Sequence, residues 1–183
     1  MIMLSGVLLH VKQEELIASK VQEAIGVTYS QQHIEMSNKR SGKTRKIKYI
    51  VIHNTANSQS TAQNEVDYLS NSNNTSSTAF HIAVDDHEII EAIPPTEIAY
   101  HAGDGNGEGN HYGVGIEICE SGDFNKAKSN AAQMVAYLMK IYGIPLSRVK
   151  THHDFSGKDC PRLMLDHWDT FLEEVKTAYK ALD

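Results

Sequence analysis

The sequence has only two cysteines, Cys119 and Cys160, and few clustered basic residues. Small secreted domains that depend on disulfides carry more cysteines, so this chain does not fit that class. A net charge of −6 argues against a nucleic-acid partner, because neutralising phosphates requires a clustered basic surface. The one basic segment, residues 39–48, is short, and we predict a solvated linker there.

Long apolar runs are also missing from the sequence. A membrane-spanning helix needs about 20 consecutive apolar residues, and no stretch approaches that length, so we expect no membrane insertion. Residues 1–10 are largely apolar but lack a basic region and a small-residue cleavage site, so no signal peptide is predicted. We therefore expect synthesis in the cytoplasm, and a target outside the membrane would require another agent to release the protein.

The hydrophobic pattern is that of an ordinary globular domain of 183 residues, 40% hydrophobic and 22% charged. It predicts helices at 12–25, 60–70, 127–142 and 166–182, and strands at 47–53, 79–84, 88–93, 113–119 and 149–152. This order favours an α/β fold, a single domain with a central mixed β-sheet flanked by helices. Residues 1–36 are assigned to an N-terminal helix and linker extension, and residues 37–183 to the domain itself.

Several segments carry little periodicity. Residues 27–46 are polar and are predicted to be a linker or irregular arm, and residues 97–101 a short extended piece. The glycine-rich stretch 103–109 lacks the spacing of a phosphate-binding loop, so we predict a mobile surface loop. In the last two helices, Ile141 and Tyr179 are predicted to face inward.

Residue types that bind zinc occur at three places. His53 ends an apolar run, and His152 and Cys160 flank a segment whose Ser156 and Gly157 favour a tight turn. A catalytic zinc takes three protein ligands of this kind and leaves a fourth position open. The chain has ten histidines, however, so a chance pairing of histidine with cysteine is an alternative. His153 competes with His152, and because neighbours in an extended segment point in opposite directions, only one can be the ligand.

Glu117 is a lone carboxylate among aliphatic residues, flanked by Ile116 and Ile118. Such a residue could handle protons beside a metal, or could simply lie at an edge or on the surface. Glu120 is the nearest rival, but it lies beyond the apolar run and has the opposite parity.

Five sequence motifs then resemble, in order, the landmarks of the zinc N-acetylmuramoyl-L-alanine amidases of type 2. This group includes phage lysozyme-type amidases and the peptidoglycan recognition proteins, and the likeness is strongest to endolysins of Bacillus phages and prophages. The motifs are IVIHNTA (50–56), FHIAVDD (80–86), YHAGDGNG (100–107), GVGIEIC (113–119) and H-x7-CP (152–161). The resemblance covers about residues 37–175.

The resemblance implies a Zn²⁺ cofactor held by His53, His152 and Cys160, since the family's ligand histidine stands eight residues before the cysteine. It further implies that Glu117 is the catalytic glutamate and that Lys158 stabilises the oxyanion.

The resemblance also bears on the substrate cleft. Many members carry tyrosine where this chain has Phe80, so no phenol can assist catalysis at that position. By the same resemblance His81 faces the cleft without binding metal. Besides Phe80 and His81, we predict four substrate contacts, namely Asn54, Thr55, His101 and Asp104.

The implied function is a peptidoglycan hydrolase, an endolysin or autolysin, that cleaves the amide between N-acetylmuramic acid and L-alanine. Peptidoglycan is the expected partner and a monomer the expected state, acting on the cell wall after release by holin or lysis, or extracellularly. One alternative is a non-catalytic peptidoglycan-binding module of the same fold, which the retained Cys160, Glu117 and Lys158 argue against. A polymerase-binding regulatory protein is the other, and no sequence feature favours it.

Overall fold

The computed structural model describes residues 13–182, which form one six-stranded sheet with helices on both faces. The strands are β1 (Thr28–Gln31), β2 (Tyr49–Asn54), β3 (Ile82–Val84), β4 (Glu88–Glu91), β5 (Gly113–Ile118) and β6 (Val149–Thr151). The helices are α1 (Ala18–Ile25), α2 (Ala62–Ser70), α3 (Glu108–Tyr112), α4 (Phe124–Tyr142), α5 (His153–Ser156) and α6 (Trp168–Ala181), with 3₁₀ turns at Leu146–Arg148 and Leu165–His167. The predicted α/β class with a mixed sheet is confirmed.

The strand order is β1-β4-β3-β5-β2-β6, and every pairing is parallel except the β3–β4 hairpin. β2 therefore lies between two parallel neighbours, β5 and β6. Its apolar run is buried along nearly its whole length, as expected for a strand covered on both faces. The carboxyl ends of these three strands meet at the same edge of the sheet.

Alternation along the central strands divides the core in two. Ile50 and Ile52 of β2, and Ile116 and Ile118 of β5, join a large apolar cluster with α1, α4 and α6. The intervening residues of both strands face the other side, where α2 packs against β3 and β4. Helix α2 is fixed at its start by a capping box, in which Thr61 and Asn64 exchange side-chain and backbone hydrogen bonds.

Three local predictions differ from the structure. The segment 27–46 is not simply a linker, because residues 28–31 form β1 and pair with β4 at the edge of the sheet. Residues 97–101 make only isolated bridges through Glu97 and Tyr100. Ile141 and Tyr179 are 51% and 41% exposed, because the apolar stripes of α4 and α6 are narrower than their sequences suggest.

The start of the predicted first helix, at residue 12, lies outside the described residues, and within them the helix begins only at Ala18. Among residues 13–182, no helix is both long and apolar enough to cross a bilayer. Cys119 and Cys160 are free, and Cys119 is a fully buried member of the smaller apolar cluster.

Candidate metal centre and active site

His53, His152 and Cys160 converge on one point. The Nδ1 atoms of the two histidines lie 3.0 Å apart, and the Cys160 Sγ lies 3.9 Å from His53 Nδ1. A tetrahedral zinc site with ordinary bond lengths has ligand separations of roughly 3.3–3.6 Å. The side chains are 1%, 6% and 5% exposed, so their donor atoms point into the protein and toward one another. Two imidazoles and one thiol in this arrangement fit a zinc ion.

Each ligand is placed by a different part of the chain. His53 lies near the carboxyl end of β2, and His152 follows β6 directly and precedes the first residue of α5. Gly157 ends α5 in the left-handed conformation, with φ of 74°, and turns the chain back on itself. The returning segment is fastened by a hydrogen bond from His153 N to Cys160 O, which places the thiol beside the histidines.

The structure favours His152 over His153, although not for the predicted reason. The pair does not lie in an extended strand, because His152 has helical dihedrals, with φ of −56° and ψ of −37°. His152 is buried with its ring against His53, whereas His153 is exposed on the first turn of α5.

Burial sets the protonation of the three candidate ligands. It lowers the pKa of His53 well below 6.5 and that of His152 to about 4, with the positive charge of Lys158 contributing to both shifts. Burial also raises the pKa of the Cys160 thiol to about 11. Both histidines are therefore neutral, the form that binds metal, and metal binding would release the thiol proton.

Glu117 is brought to the same place by sheet register. It pairs with His53 across β2 and β5, and its Oε1 lies 4.0 Å from His53 Nδ1. Its Oε2 is buried and has no hydrogen-bond partner within residues 13–182. Burial, together with repulsion from Glu65, raises the pKa of the Glu117 carboxyl to about 8, and Lys158 acts in the opposite direction. A carboxyl with one buried, unpaired oxygen on a side chain that is 20% exposed, beside the two histidines and the thiol, has the features of a proton-transfer group.

Glu120, the rival carboxylate, uses both of its oxygens in contacts with other residues. Its Oε1 accepts a hydrogen bond from Ala56 N, and its Oε2 is paired with Arg162. Ala56 has a φ of 54°, which is uncommon for a residue with a side chain. Glu120 therefore clamps the loop after β2 to the loop after Cys160.

Two of the predicted substrate contacts lie beside His53 with unpaired polar atoms, and the others are engaged in contacts within the protein. Asn54 and Thr55 directly follow His53, and the Asn54 Nδ2 and Thr55 Oγ1 atoms are buried without a partner among the described residues. Lys158 is exposed on the loop before Cys160.

The other predicted contacts lie deeper. His81 is 0% exposed, accepts from Gly115 N and donates to Glu97 O, so it does not face an open cleft. Phe80 is buried in the smaller apolar cluster. The Asp104 carboxylate accepts from the backbone of residues 109 and 110, so it stabilises the start of α3.

His101, also predicted as a substrate contact, lies behind His53 instead. It is 5% exposed, and its Nδ1 lies 3.1 Å from His53 Nε2 while its Nε2 lies 3.1 Å from Gly113 O. The carbonyl can only accept, so His101 carries its proton on Nε2 in the neutral ring. His53 Nε2 then donates to His101 Nδ1, and the His53 Nδ1 lone pair is left free to face Cys160.

Two residues near the site were missed from sequence. Arg45 lies in the basic segment that we expected to be solvated, yet its Nη2 donates to Gly113 O, and burial lowers its pKa to about 10. Asn110 is 2% exposed and accepts hydrogen bonds from His101 N and Ala102 N. No spacing or motif in the sequence marks either of them, since their roles depend on contacts between distant segments.

Comparison with known proteins identifies the family of the chain. Residues 43–163 match the family model Amidase_2, described as N-acetylmuramoyl-L-alanine amidase. The N-acetylmuramoyl-L-alanine amidase CwlH of Bacillus subtilis (strain 168) is 44% identical over 156 residues, covering 83% of this chain and 62% of CwlH. XlyA, an amidase of the same organism, is 45% identical over 139 residues, or 46% of its length. The chain thus spans less than two thirds of either relative.

Solved structures give the same result. The catalytic domain of XlyA superposes with a TM-score of 0.78 at 42% identity, covering 81% of this chain and 99% of that domain. A mutant endolysin from Bacillus subtilis gives a TM-score of 0.78 at 44% identity, with the same coverage of both chains. With the family model, the sequence relatives and the fold in agreement, the chain belongs to the Amidase_2 family of N-acetylmuramoyl-L-alanine amidases.

Proposed function

We propose that this chain is a zinc-dependent hydrolase that cleaves the amide between N-acetylmuramic acid and L-alanine in peptidoglycan. The observation that carries the proposal is the buried cluster of His53, His152 and Cys160, with Glu117 in register beside it. The relatives CwlH and XlyA are named as N-acetylmuramoyl-L-alanine amidases, which supports the choice of substrate.

In this proposal His53 and His152 each offer Nδ1 to the metal, and Cys160 offers its thiolate. A zinc ion held there would supply Lewis-acid chemistry, which polarises a carbonyl and lowers the pKa of water. One ligand lies on β2 and the other two lie in residues 152–160, about a hundred residues further along the chain, so the sheet must form before the site exists.

Glu117 is the proposed proton carrier. A cation bound beside it would favour its ionised form, and this carboxylate accepts a proton from the water that attacks the amide carbonyl and then donates that proton to the leaving nitrogen of L-alanine. As the carbon–oxygen bond forms and the carbon–nitrogen bond breaks, the products are a carboxylate on the muramic acid and a free amine. Since Oε2 has no partner within residues 13–182, no competing hydrogen bond must be broken before this transfer.

Lys158 is the proposed electrostatic stabiliser of the oxyanion. Its charge is close enough to contribute to the lowered pKa values of His53 and His152. A fixed cation near a developing negative charge lowers the barrier. Asn54 and Thr55, which carry unpaired buried polar atoms next to His53, remain the best-supported substrate contacts.

A non-catalytic binding module of the same fold is less well supported, since the whole ligand set and Glu117 are retained. We further propose that the chain acts as a monomer on the cell wall, after release from the cell that makes it. The monomeric state and the action on the cell wall are both inferred from the proposed function.

Digestion of purified cell walls tests the function. We expect new free amino termini on L-alanine and no new reducing sugars, with activity lost in the presence of a strong chelator and restored by zinc. Cys160→Ser serves as the matched inactive control. New reducing ends, or amino termini on other residues, would show that a different bond is cut.

A further inference from the structure

His53 and His152, the two histidines proposed to bind the metal, share one feature that the proposed chemistry does not use. Each directs Nδ1 to the cluster, so each has its Nε2 atom on the far side of the ring. His53 Nε2 lies 3.1 Å from His101 Nδ1. The His152 ring lies against the backbone that follows His101: its Nε2 is 3.1 Å from the place that a Cβ on Gly103 would take, and the Ala102 backbone is near the same ring.

Both rings are therefore held from behind by consecutive residues. The contact to His101 selects the His53 tautomer, because His101 must use its own Nε2–H on Gly113 O. Arg45 donates to the same carbonyl. The neutral His101 ring thus accepts from His53 and leaves the His53 Nδ1 lone pair for a metal.

The pair His101 and Ala102 is itself held by one side chain. Asn110 Oδ1 accepts both backbone N–H groups, at 2.7 Å each. Asn110 Nδ2 donates to Gly105 O at 2.9 Å, and Asn110 N donates to the Asp104 carboxylate at 3.1 Å. The start of α3 therefore fixes the backbone on which both histidines rest.

The neighbouring strand also leaves room for this arrangement. A Cβ on Gly115 would lie 2.6 Å from the His101 ring, closer than real Cβ atoms approach. Only glycine at that position of β5 leaves room for the His101 ring, whose plane is at 88° to that of His53.

We propose that His101 and Ala102, held by Asn110, form a positioning bracket that orients both metal histidines with Nδ1 toward the ion. His101 acts on His53 from the side of the ring opposite the cluster, so its proposed role is positioning. The inference rests on the zinc site proposed above. Outer partners of metal-binding histidines typically contribute about 10- to 100-fold in metal affinity.

The test compares zinc affinity, by chelator competition, across a small set of full-length variants. His101→Leu removes the acceptor for His53, and we expect zinc affinity to fall about 10- to 100-fold. His101→Asn places an oxygen near the position of Nδ1, and we expect it to recover most of that loss. Asn110→Ala should weaken zinc binding in the same direction, because it frees the backbone of both bracket residues.

His81→Leu is the matched control. His81 is an equally buried histidine with its ring centroid 5.5 Å from that of His101, but its ring contacts Gly115 N, Glu97 O and Arg45 Nη2 rather than a metal histidine. This variant can lower stability, yet its folded form should bind zinc like the wild type. Absorption of the cobalt(II)-loaded proteins supplies a second readout, and the bands should change in His101→Leu and stay unchanged in His81→Leu.

The outcomes separate the two proposals. A wild-type protein that binds no zinc, or a Cys160→Ser variant that binds it undiminished, would overturn the proposed metal site. Zinc binding by wild type that depends on Cys160 but is unaltered in folded His101→Leu and Asn110→Ala would overturn the bracket alone. Equal losses in His101→Leu, His101→Asn and His81→Leu would also overturn it, since they would reflect general loosening of the core.

Discussion

Replacing Glu117 by glutamine should remove the proton carrier of the proposed site and leave the rest of the site in place. Glutamine has almost the same shape as glutamate. The Oε2 atom has no hydrogen-bond partner within residues 13–182, so the substitution breaks no bond there. Its other oxygen lies 4.0 Å from His53 Nδ1, beyond hydrogen-bonding distance. Only the ability to accept a proton is lost.

The size of the effect follows from that role. Loss of a general base typically costs about 10²- to 10⁴-fold in rate, which corresponds to roughly 2.7–5.4 kcal/mol in the barrier. Stability should change far less, by under the ~1 kcal/mol of one hydrogen bond, because none is removed. Burial raises the pKa of this carboxyl to about 8 in the metal-free protein, so the neutral side chain of glutamine suits the same surroundings.

The assay measures hydrolysis of a muramyl peptide, with zinc content and circular dichroism recorded on the same samples. Glu120→Gln is the matched control, three residues further along the chain. It retains an oxygen for Ala56 N and should keep most of the rate, although weakening its pair with Arg162 can lower stability. A Glu117→Gln enzyme with nearly full rate and full zinc content would refute the role assigned to Glu117.

Three further predictions concern the ligands and the buried histidines. His152→Ala should lose zinc and activity while His153→Ala, at an exposed position, keeps most of both, and the reverse pattern in turbidity-loss assays of folded proteins would exchange the assignment. Cys160→Ser should retain less zinc by elemental analysis, and undiminished zinc would remove Cys160 from the ligand set. Burial lowers the pKa of His53, His81, His101 and His152 below 6.5, so below that pH the unfolded chain binds more protons than the folded one. The free energy of unfolding of metal-free protein should then be greatest above pH 6.5 and fall toward pH 4, by at most ~1.4 kcal/mol per pH unit for each histidine. Glu117 opposes this trend, since its raised pKa removes stability as pH rises from 4.5 toward 8, but it is a single group. Denaturant titrations in chelator that give a flat profile between pH 4 and 6.5 would contradict the burial of neutral histidines.

The elements that could be predicted from sequence are those with long apolar runs. Strand β2 is recognisable because its consecutive aliphatic residues at 50–52 suit a strand buried on both faces. Strand β5 is recognisable because Val114, Ile116 and Ile118 recur at every second residue. The short strand β1 is not, since its residues 28–31 are polar at three of four positions and form a strand only by pairing with β4. A four-residue edge strand depends on its neighbour, and that neighbour is 60 residues away in the sequence.

The site residues also divide into those that the local sequence marks and those that depend on distant segments. The types at positions 53, 152 and 160 indicated metal chemistry, and the structure brings them together. The burial of His81, His101 and Arg45 could not be predicted, because the residue types histidine and arginine give no sign of it. Each is buried against backbone carbonyls of segments distant in the sequence, such as Gly113 O and Glu97 O. Every residue has a backbone carbonyl, so the residue types do not show which carbonyls accept these hydrogen bonds.

Sheet register explains why a site exists at this edge at all. His53 pairs with Glu117 across β2 and β5, and Ile52 pairs with Thr151 across β2 and β6, which places His152 next to His53. Since side chains alternate along a strand, a shift of β5 by one residue would turn Glu117 into the apolar cluster and bring an isoleucine to the metal. The same shift would also take Ile116 and Ile118, which are fully buried, out of the large apolar cluster, where burying such a side chain contributes about 1.5–3 kcal/mol. The packing that stabilises the sheet therefore also aligns the proton carrier with the proposed ligands.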